Sequence, residues 1–288
     1  MHRILLPIAL PPAAPEVIRQ AAFLARHFRA ELVVLHVLSP MTYPVGVLER
    51  GSALTDRDLH APLILRAQQE LDRSLGAGLE GINVRRLLLH GDAAHQIAQF
   101  TREEPVDLLV LSTNDPSGLY HRLLRSVAAK VLQAVDCPVW VGPTRHEPPS
   151  HEFRIRSILC SLDLQAHSVA TLTHATRFAA LFDARLTLVH VTSSAATYGP
   201  GGLHIDPRWK DELVRFAASE LAGIQRQAGT DAEVIIDSGD VVTVLDRAAK
   251  QSDSDLLIMG RLPGRGHLGT NGSGYAIIRQ SPLPVLSF

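Results

Sequence analysis

Seven residues in the second half of the chain are of the types that hold an anion beside a hydrogen-bonded base or sugar: Asp163, Gly260, Arg261, Gly264, Arg265, Gly272 and Ser273. Gly260 permits a sharp turn, and Gly264 and Gly266 let the backbone approach a phosphate closely. Gly272 and Ser273 put bare N–H groups and a hydroxyl at the start of a short helical pattern. Arg261 and Arg265 add positive charge, and Asp163 can accept a hydrogen bond from an adenine amino group or a ribose hydroxyl. Spacing alone leaves a second reading equally open. In it the glycines make a surface loop, Asp163 caps a helix and the arginines are solvated.

These residues need elements to bring them together. The apolar run Leu256–Met259 reads as a buried strand, the glycines as the loop after it, and residues 275–279 as a helix. Asp163 follows another apolar run, 156–162. Across the chain such runs alternate with helical patterns. In the first half, strands are expected at residues 3–10, 31–38, 83–89, 107–111 and 138–141. Helices are expected at 16–28, 60–75, 93–102, with Asp92 as cap, and 126–135. This alternation predicts an α/β fold, a parallel sheet with helices on both faces. In such a sheet a ligand sits beyond the carboxyl ends of the strands, where the strand order reverses. The loops after the second strands, 39–57 and 192–210, carry Tyr43 in one half and Tyr198 and Trp209 in the other, residues suited to covering a ligand or a partner.

The series occurs twice. AELVVLHV at Ala30 is answered by ARLTLVHV at Ala184, DLLVLS at Asp107 by DLLIMG at Asp255, and DCPVWV at Asp136 by the terminal LPVLSF. Corresponding strands in one order at nearly constant offset indicate a duplicated domain. The expected boundaries are 1–142 and 154–288, joined by a proline-containing linker at 143–153. Each half ends in a short apolar strand, and such an edge invites pairing, so the two copies are expected either to pair there or to pack as an internal pseudo-dimer.

Composition narrows the function classes. Lys+Arg 28 against Asp+Glu 29 gives a net charge of -1, with no general electrostatic reason to expect nucleic acid. No apolar run approaches the ~18 residues of a membrane span. The N-terminal stretch reads as a strand, not a signal peptide. Cys137 and Cys160 lie among apolar residues and read as buried thiols. The phosphate-loop lysine motif, the dinucleotide fingerprint after a first strand, the two-histidine zinc helix and the nucleophile elbow are all missing from the sequence. His90 and His95 bracket a helix start and do not share a metal face; His36 and His190 occupy equivalent strand ends and read as structural.

With these residues in place, each half resembles the universal stress protein (UspA-type) domain, and the chain resembles a tandem member of that family. The resemblance covers about residues 1–142 and 154–288. It implies a five-stranded parallel, Rossmann-like α/β fold in each half. In nucleotide-binding members it implies G-x2-G-x9-G-[ST] after the fourth strand and an aspartate at the end of the first. Asp163 matches that aspartate, Val191 the base-pocket position, Met259 and Gly260 the strand-four end, Gly264 the second glycine, and Gly272-Ser273 the final pair. The spacing here is Gly260-x3-Gly264-x7-Gly272-Ser273, one longer and two shorter than the family pattern; counting back from the final Pro-Val pair lets Asn271 and Gly272 take the last positions instead. The first half keeps the family length as Ser112-x2-Asp115-x9-Arg125-Ser126 but has lost all three glycines, and Ala9 stands in the aspartate position.

The resemblance implies a cytoplasmic stress-response protein that binds ATP, with Mg2+, or another adenine nucleotide once per chain, in the second half. Two other readings stand beside it. One is a stress protein without a nucleotide site, acting through homodimerisation or an unknown protein partner. The other is slow ATP hydrolysis, for which no general base is identifiable.

Overall fold

Continuous apolar runs become the inner strands of the sheets, where both faces are covered. The computed structural model describes residues 1–10, 15–38, 56–73, 78–112, 127–143, 153–193, 207–261 and 273–288. The chain divides into two units, Met1–Cys137 and Pro138–Phe288. In the first lie β1 (Arg3–Pro7), α1 (Pro15–Phe28), β2 (Glu31–Leu38), α2 (Asp56–Arg73), β3 (Val84–His90), α3 (Ala93–Glu103), β4 (Leu108–Ser112) and α4 (Val127–Ala134). Its strands are parallel in the order β3-β2-β1-β4. The second helix begins earlier than periodicity predicts, at Asp56 rather than residue 60.

The second unit contains β5 (Val139–Gly142), β6 (Ser157–Ser161), α5 (Ser168–Phe182), β7 (Arg185–Ser193), α6 (Pro207–Ala228), β8 (Glu233–Gly239), α7 (Val241–Gln251), β9 (Leu256–Met259), α8 (Ser273–Gln280) and β10 (Val285–Ser287). Its strand order is β5-β10-β9-β6-β7-β8. All neighbours are parallel except β5 and β10, which run antiparallel with Trp140 opposite Leu286. The pairing of short terminal strands expected from the sequence therefore takes place at β5–β10, and it makes this sheet mixed. The segment between the second strand and the following helix is shorter than the expected 192–210, because β7 continues to Ser193 and α6 starts at Pro207. Tyr43 and Tyr198 lie outside the described residues, as does the side chain of Trp209.

The cores follow the sequence pattern. Ile4, Leu5, Leu32–Leu35 and Leu108–Val110 are fully buried in the first unit, and Ile158, Leu159, Cys160, Leu256 and Ile258 in the second. The outer strands β3 and β8 carry Arg85, Arg86, Glu233 and Asp237 and stay partly exposed, which suits edges that must not recruit further strands. α5 buries Ser168, Thr171, Leu172, Ala175, Phe178 and Ala179, one stripe at helical spacing, against its sheet. Local devices are duplicated as well. Asp92 and Asp240 both cap helices, accepting from the main-chain N–H groups of His95 and Thr243. Asp107 and Asp255 each accept two main-chain N–H bonds at the start of β1 and β6. Among the described residues no helix is long and apolar enough to cross a membrane.

Candidate functional site

The second unit's strand order reverses beside β6. The chain moves from β6 to β7 on one side, then returns to β9 on the other. The carboxyl ends of β6 and β9 are therefore the switch point at which an open α/β sheet takes a ligand. Ser161 and Met259 are register partners at these ends. Asp163 lies just beyond the first and Gly260 just beyond the second, so the fold brings these two sequence-predicted residues to one place.

Asp163 is held by a tight local network. Its Oδ1 accepts from the main-chain N–H of Gln165 at 3.1 Å and from Ser168 Oγ at 3.2 Å. Leu164 between them adopts φ 59, a left-handed conformation costly for a leucine, which folds the turn back on the carboxylate. The bond from Ser168 Oγ ties this turn to the first residue of α5. Asp163 is not the helix cap, since His167 is the residue before α5 and the carboxylate accepts from no main-chain N–H of that helix; one carboxylate oxygen organises the preceding turn instead. The other, Oδ2, lies 3.5 Å from His167 Nε2, with the acid side chain 36% and the histidine side chain 21% exposed.

His190 anchors the same turn from below. Its Nδ1–H donates to the Leu162 carbonyl at 2.8 Å, while the Leu162 N–H donates to the Val189 carbonyl at 3.0 Å. The first unit repeats the clamp with His36 on Ile8 at 2.9 Å and Ile8 on Leu35 at 2.8 Å. The clamp occurs beside Ala9 as well as beside Asp163, so both histidines hold strand ends.

Gly260 has a reason the sequence reading did not supply. A Cβ here would fall 2.5 Å from His167 Cδ2, 2.8 Å from His167 Nε2 and 2.6 Å from Thr171 Oγ1. The imidazole lies flush against the glycine, so a side chain here would have to displace the ring and the Thr171 hydroxyl. His167 and Thr171 were not singled out in the sequence. The available signal was a pair of differences between the repeats: Ala13 answers His167 where Ser112 answers Gly260.

The remaining candidates are dispersed. Met259 is 6% and Arg261 5% exposed, so neither is a solvated surface residue. The Arg261 N–H donates to the Phe288 carbonyl at 2.8 Å, extending the β9–β10 ladder. Val191 is partly exposed on β7 opposite Asp237. Gly264, Arg265 and Gly272 lie outside the described residues, and Ser273 is described only as the first residue of α8. Of the first-half equivalents, Ala9 is exposed and Ser112 partly exposed; Asp115, Arg125 and Ser126 are outside the described residues. An apolar cleft lined by Leu159, Leu245, Leu257 and Ile277 lies under α7 and α8 and includes neither Asp163 nor Gly260. Among the described residues no group of three or more His, Cys, Asp or Glu is arranged to hold a metal.

The duplicated architecture has a counterpart among known proteins. The model of the universal stress protein family matches residues 1–143 and again 154–287. The chain belongs to the universal stress protein family. A universal stress protein of Methanocaldococcus jannaschii is 28% identical over 141 residues, 48% of this chain and 80% of that one. One from Bacillus subtilis is 28% identical over 128 residues, 42% of this chain and 84% of its own. Among solved structures, a universal stress protein from Archaeoglobus fulgidus is similar at TM-score 0.68 and 19% identity, covering 99% of this chain and 97% of that chain. A functionally unknown protein from Pseudomonas aeruginosa PAO1 is similar at TM-score 0.62 and 16% identity, covering 100% and 92%. These structural likenesses show the fold. Both halves of this universal stress protein are thus family domains, and only the second carries an acid and a glycine at the strand ends.

Proposed function

We propose that this universal stress protein binds an adenine nucleotide, ATP with Mg2+, once per chain, in its second repeat. One observation carries the reading: Asp163 and Gly260 follow two strand ends that are register partners at the switch point, and Gly260 comes immediately before a glycine-rich stretch. Asp163 Oδ2 would take the adenine amino group, the glycine-rich stretch and the start of α8 would take the phosphates, and magnesium would enter on the phosphates. The first repeat, with Ala9 and Ser112, would not bind. The protein would act in the cytoplasm, as a nucleotide-responsive component of a stress response.

The test is calorimetric titration of the full chain with Mg-ATP. Binding should be seen at one site per chain. Asp163→Ala should weaken it, whereas Ala9→Asp should leave it unchanged. No heat of binding at millimolar nucleotide, from the wild type and from His167→Ala alike, would overturn the proposal. One observation favours the second reading, a stress protein working only through protein contacts: the Asp163 carboxylate is already engaged by its own turn and by His167.

A further inference from the structure

We infer that His167 is a built-in plug of the strand-end site, occupying the space between Asp163 and Gly260 that a ligand must enter. The inference rests on the nucleotide reading above and adds a residue and a control step to it.

The geometry is specific. Asp163 Oδ1 is used by Gln165 N–H and Ser168 Oγ, so Oδ2 is the oxygen left for a ligand. His167 Nε2 faces that oxygen at 3.5 Å. The same ring covers Gly260, with Cδ2 at 2.5 Å and Nε2 at 2.8 Å from the place of a Cβ. A base reaching Asp163 from the glycine side meets the imidazole first. The ring also reaches solvent. Its side chain is 21% exposed. His167 is the residue before the first turn of α5, yet its side chain makes no capping hydrogen bond. The main-chain carbonyl of His167, by contrast, is tied down by the Thr171 N–H at 2.9 Å and Thr171 Oγ1 at 3.1 Å. Rotation about the side-chain bonds therefore moves the ring without disturbing the helix.

The repeats argue independently for a matched pair. At the equivalent positions the first half has Ala13 and Ser112, a small residue and a Cβ-bearing one. The second half has exchanged both, and the site-bearing half is the one with the ring against the glycine. A side chain that closes the competent state lowers apparent affinity by the fraction of time the site is open.

The experiment titrates Mg-ATP into the full-length wild type, His167→Ala, His167→Asn and the double variant Asp163→Ala/His167→Ala, with thermal melts to confirm folding. If the ring leaves the site open about one tenth of the time, His167→Ala binds about tenfold more tightly, and His167→Asn shifts in the same direction. The double variant loses that gain. Binding by His167→Ala where wild type shows none supports both the plug and the nucleotide reading. Equal or weaker binding by both single variants, with wild type binding, overturns the plug and leaves the nucleotide reading standing. No binding by any of the four proteins overturns both.

Discussion

An alanine at position 260 would set a methyl group 2.5 Å from His167 Cδ2 and 2.6 Å from Thr171 Oγ1. Carbon atoms in contact normally stand about 3.5–4.0 Å apart, so roughly an ångström has to be found. The two neighbours differ in how much they can give. His167 has its side chain 21% exposed and presents only the far end of that side chain to the glycine. Thr171 is 4% exposed, and its hydroxyl donates to the His167 carbonyl at 3.1 Å, so it is held in place. Overpacking of this kind costs about 1–3 kcal/mol. Removing the ring first, as His167→Ala, takes away two of the three close approaches. Gly260→Ala should then cost less, with a coupling of about 1 kcal/mol, within the range of contacting residues. Urea unfolding followed by tryptophan fluorescence reads this cleanly. Both tryptophans, Trp140 and Trp209, belong to the unit Pro138–Phe288, so the signal reports on the unit that holds the mutation. Equal destabilisation by Gly260→Ala in both backgrounds would refute the claim that the glycine exists to admit the imidazole.

Other outcomes can be checked on the same protein. The His95 N–H holds the Asp92 carboxyl below its usual range, and the Thr243 N–H does the same for Asp240. Each group's stabilisation is therefore complete above the ordinary carboxylate pKa of about 4 and disappears as pH falls through the lower folded value. Asp92→Ala should cost about 1 kcal/mol at neutral pH and much less near pH 2 in circular-dichroism melts; an undiminished cost in acid would count against the cap. Burial pushes the Cys160 thiol up to about 12. The native protein should therefore give a thiol reagent at most one fast reaction, at Cys137, and equally fast labelling of Cys160 would contradict its burial. This raised value also makes stability fall as pH climbs above the ordinary thiol pKa of about 8.5. Burial alone would push the Asp107 carboxyl up, but the main-chain N–H groups of His2 and Arg3 outweigh it and hold it low. Asp107→Leu should accordingly destabilise the first unit at neutral pH and leave the tryptophan-reported transition of the second unit unmoved. Trp140 is fully buried and meets Phe153 edge-on. Trp140→Ala should cost the second unit about 3–5 kcal/mol, although the residue belongs to the last strand of the first repeat; an unchanged second-unit midpoint in a chemical-shift or amide-exchange assay would remove β5 from that unit.

Much of the fold was legible because its signals are local. Apolar runs such as Leu32–Leu35 and Leu256–Met259 read as buried strands from their own residues, whereas the outer place of Val84–His90 came only from the strand pairing. Asp92 before a helical pattern announces a cap by itself. The repeat needed nothing but comparison of the chain with itself. His36 and His190 read as structural from their equivalent strand-end places in the two repeats, and each meets a main-chain carbonyl.

The site was legible only in outline. Residue types and order named Asp163 and Gly260, and the alternation of strands and helices set them at the same end of a sheet. The reason for the glycine was a different matter. His167 and Gly260 are distant in sequence, and no periodicity or motif links them; they meet because β6 and β9 are neighbours in register. The same holds for β5. Its apolar side chains specify a strand, but not that Trp140 would lie opposite Leu286 in an antiparallel pair of the second unit. Side-chain pattern dictates which faces are buried, and so the class of fold and the duplicated domains could be read from the chain alone. Which residues touch across strands is settled by packing of the whole sheet, and from that packing alone came the imidazole between the acid and the glycine.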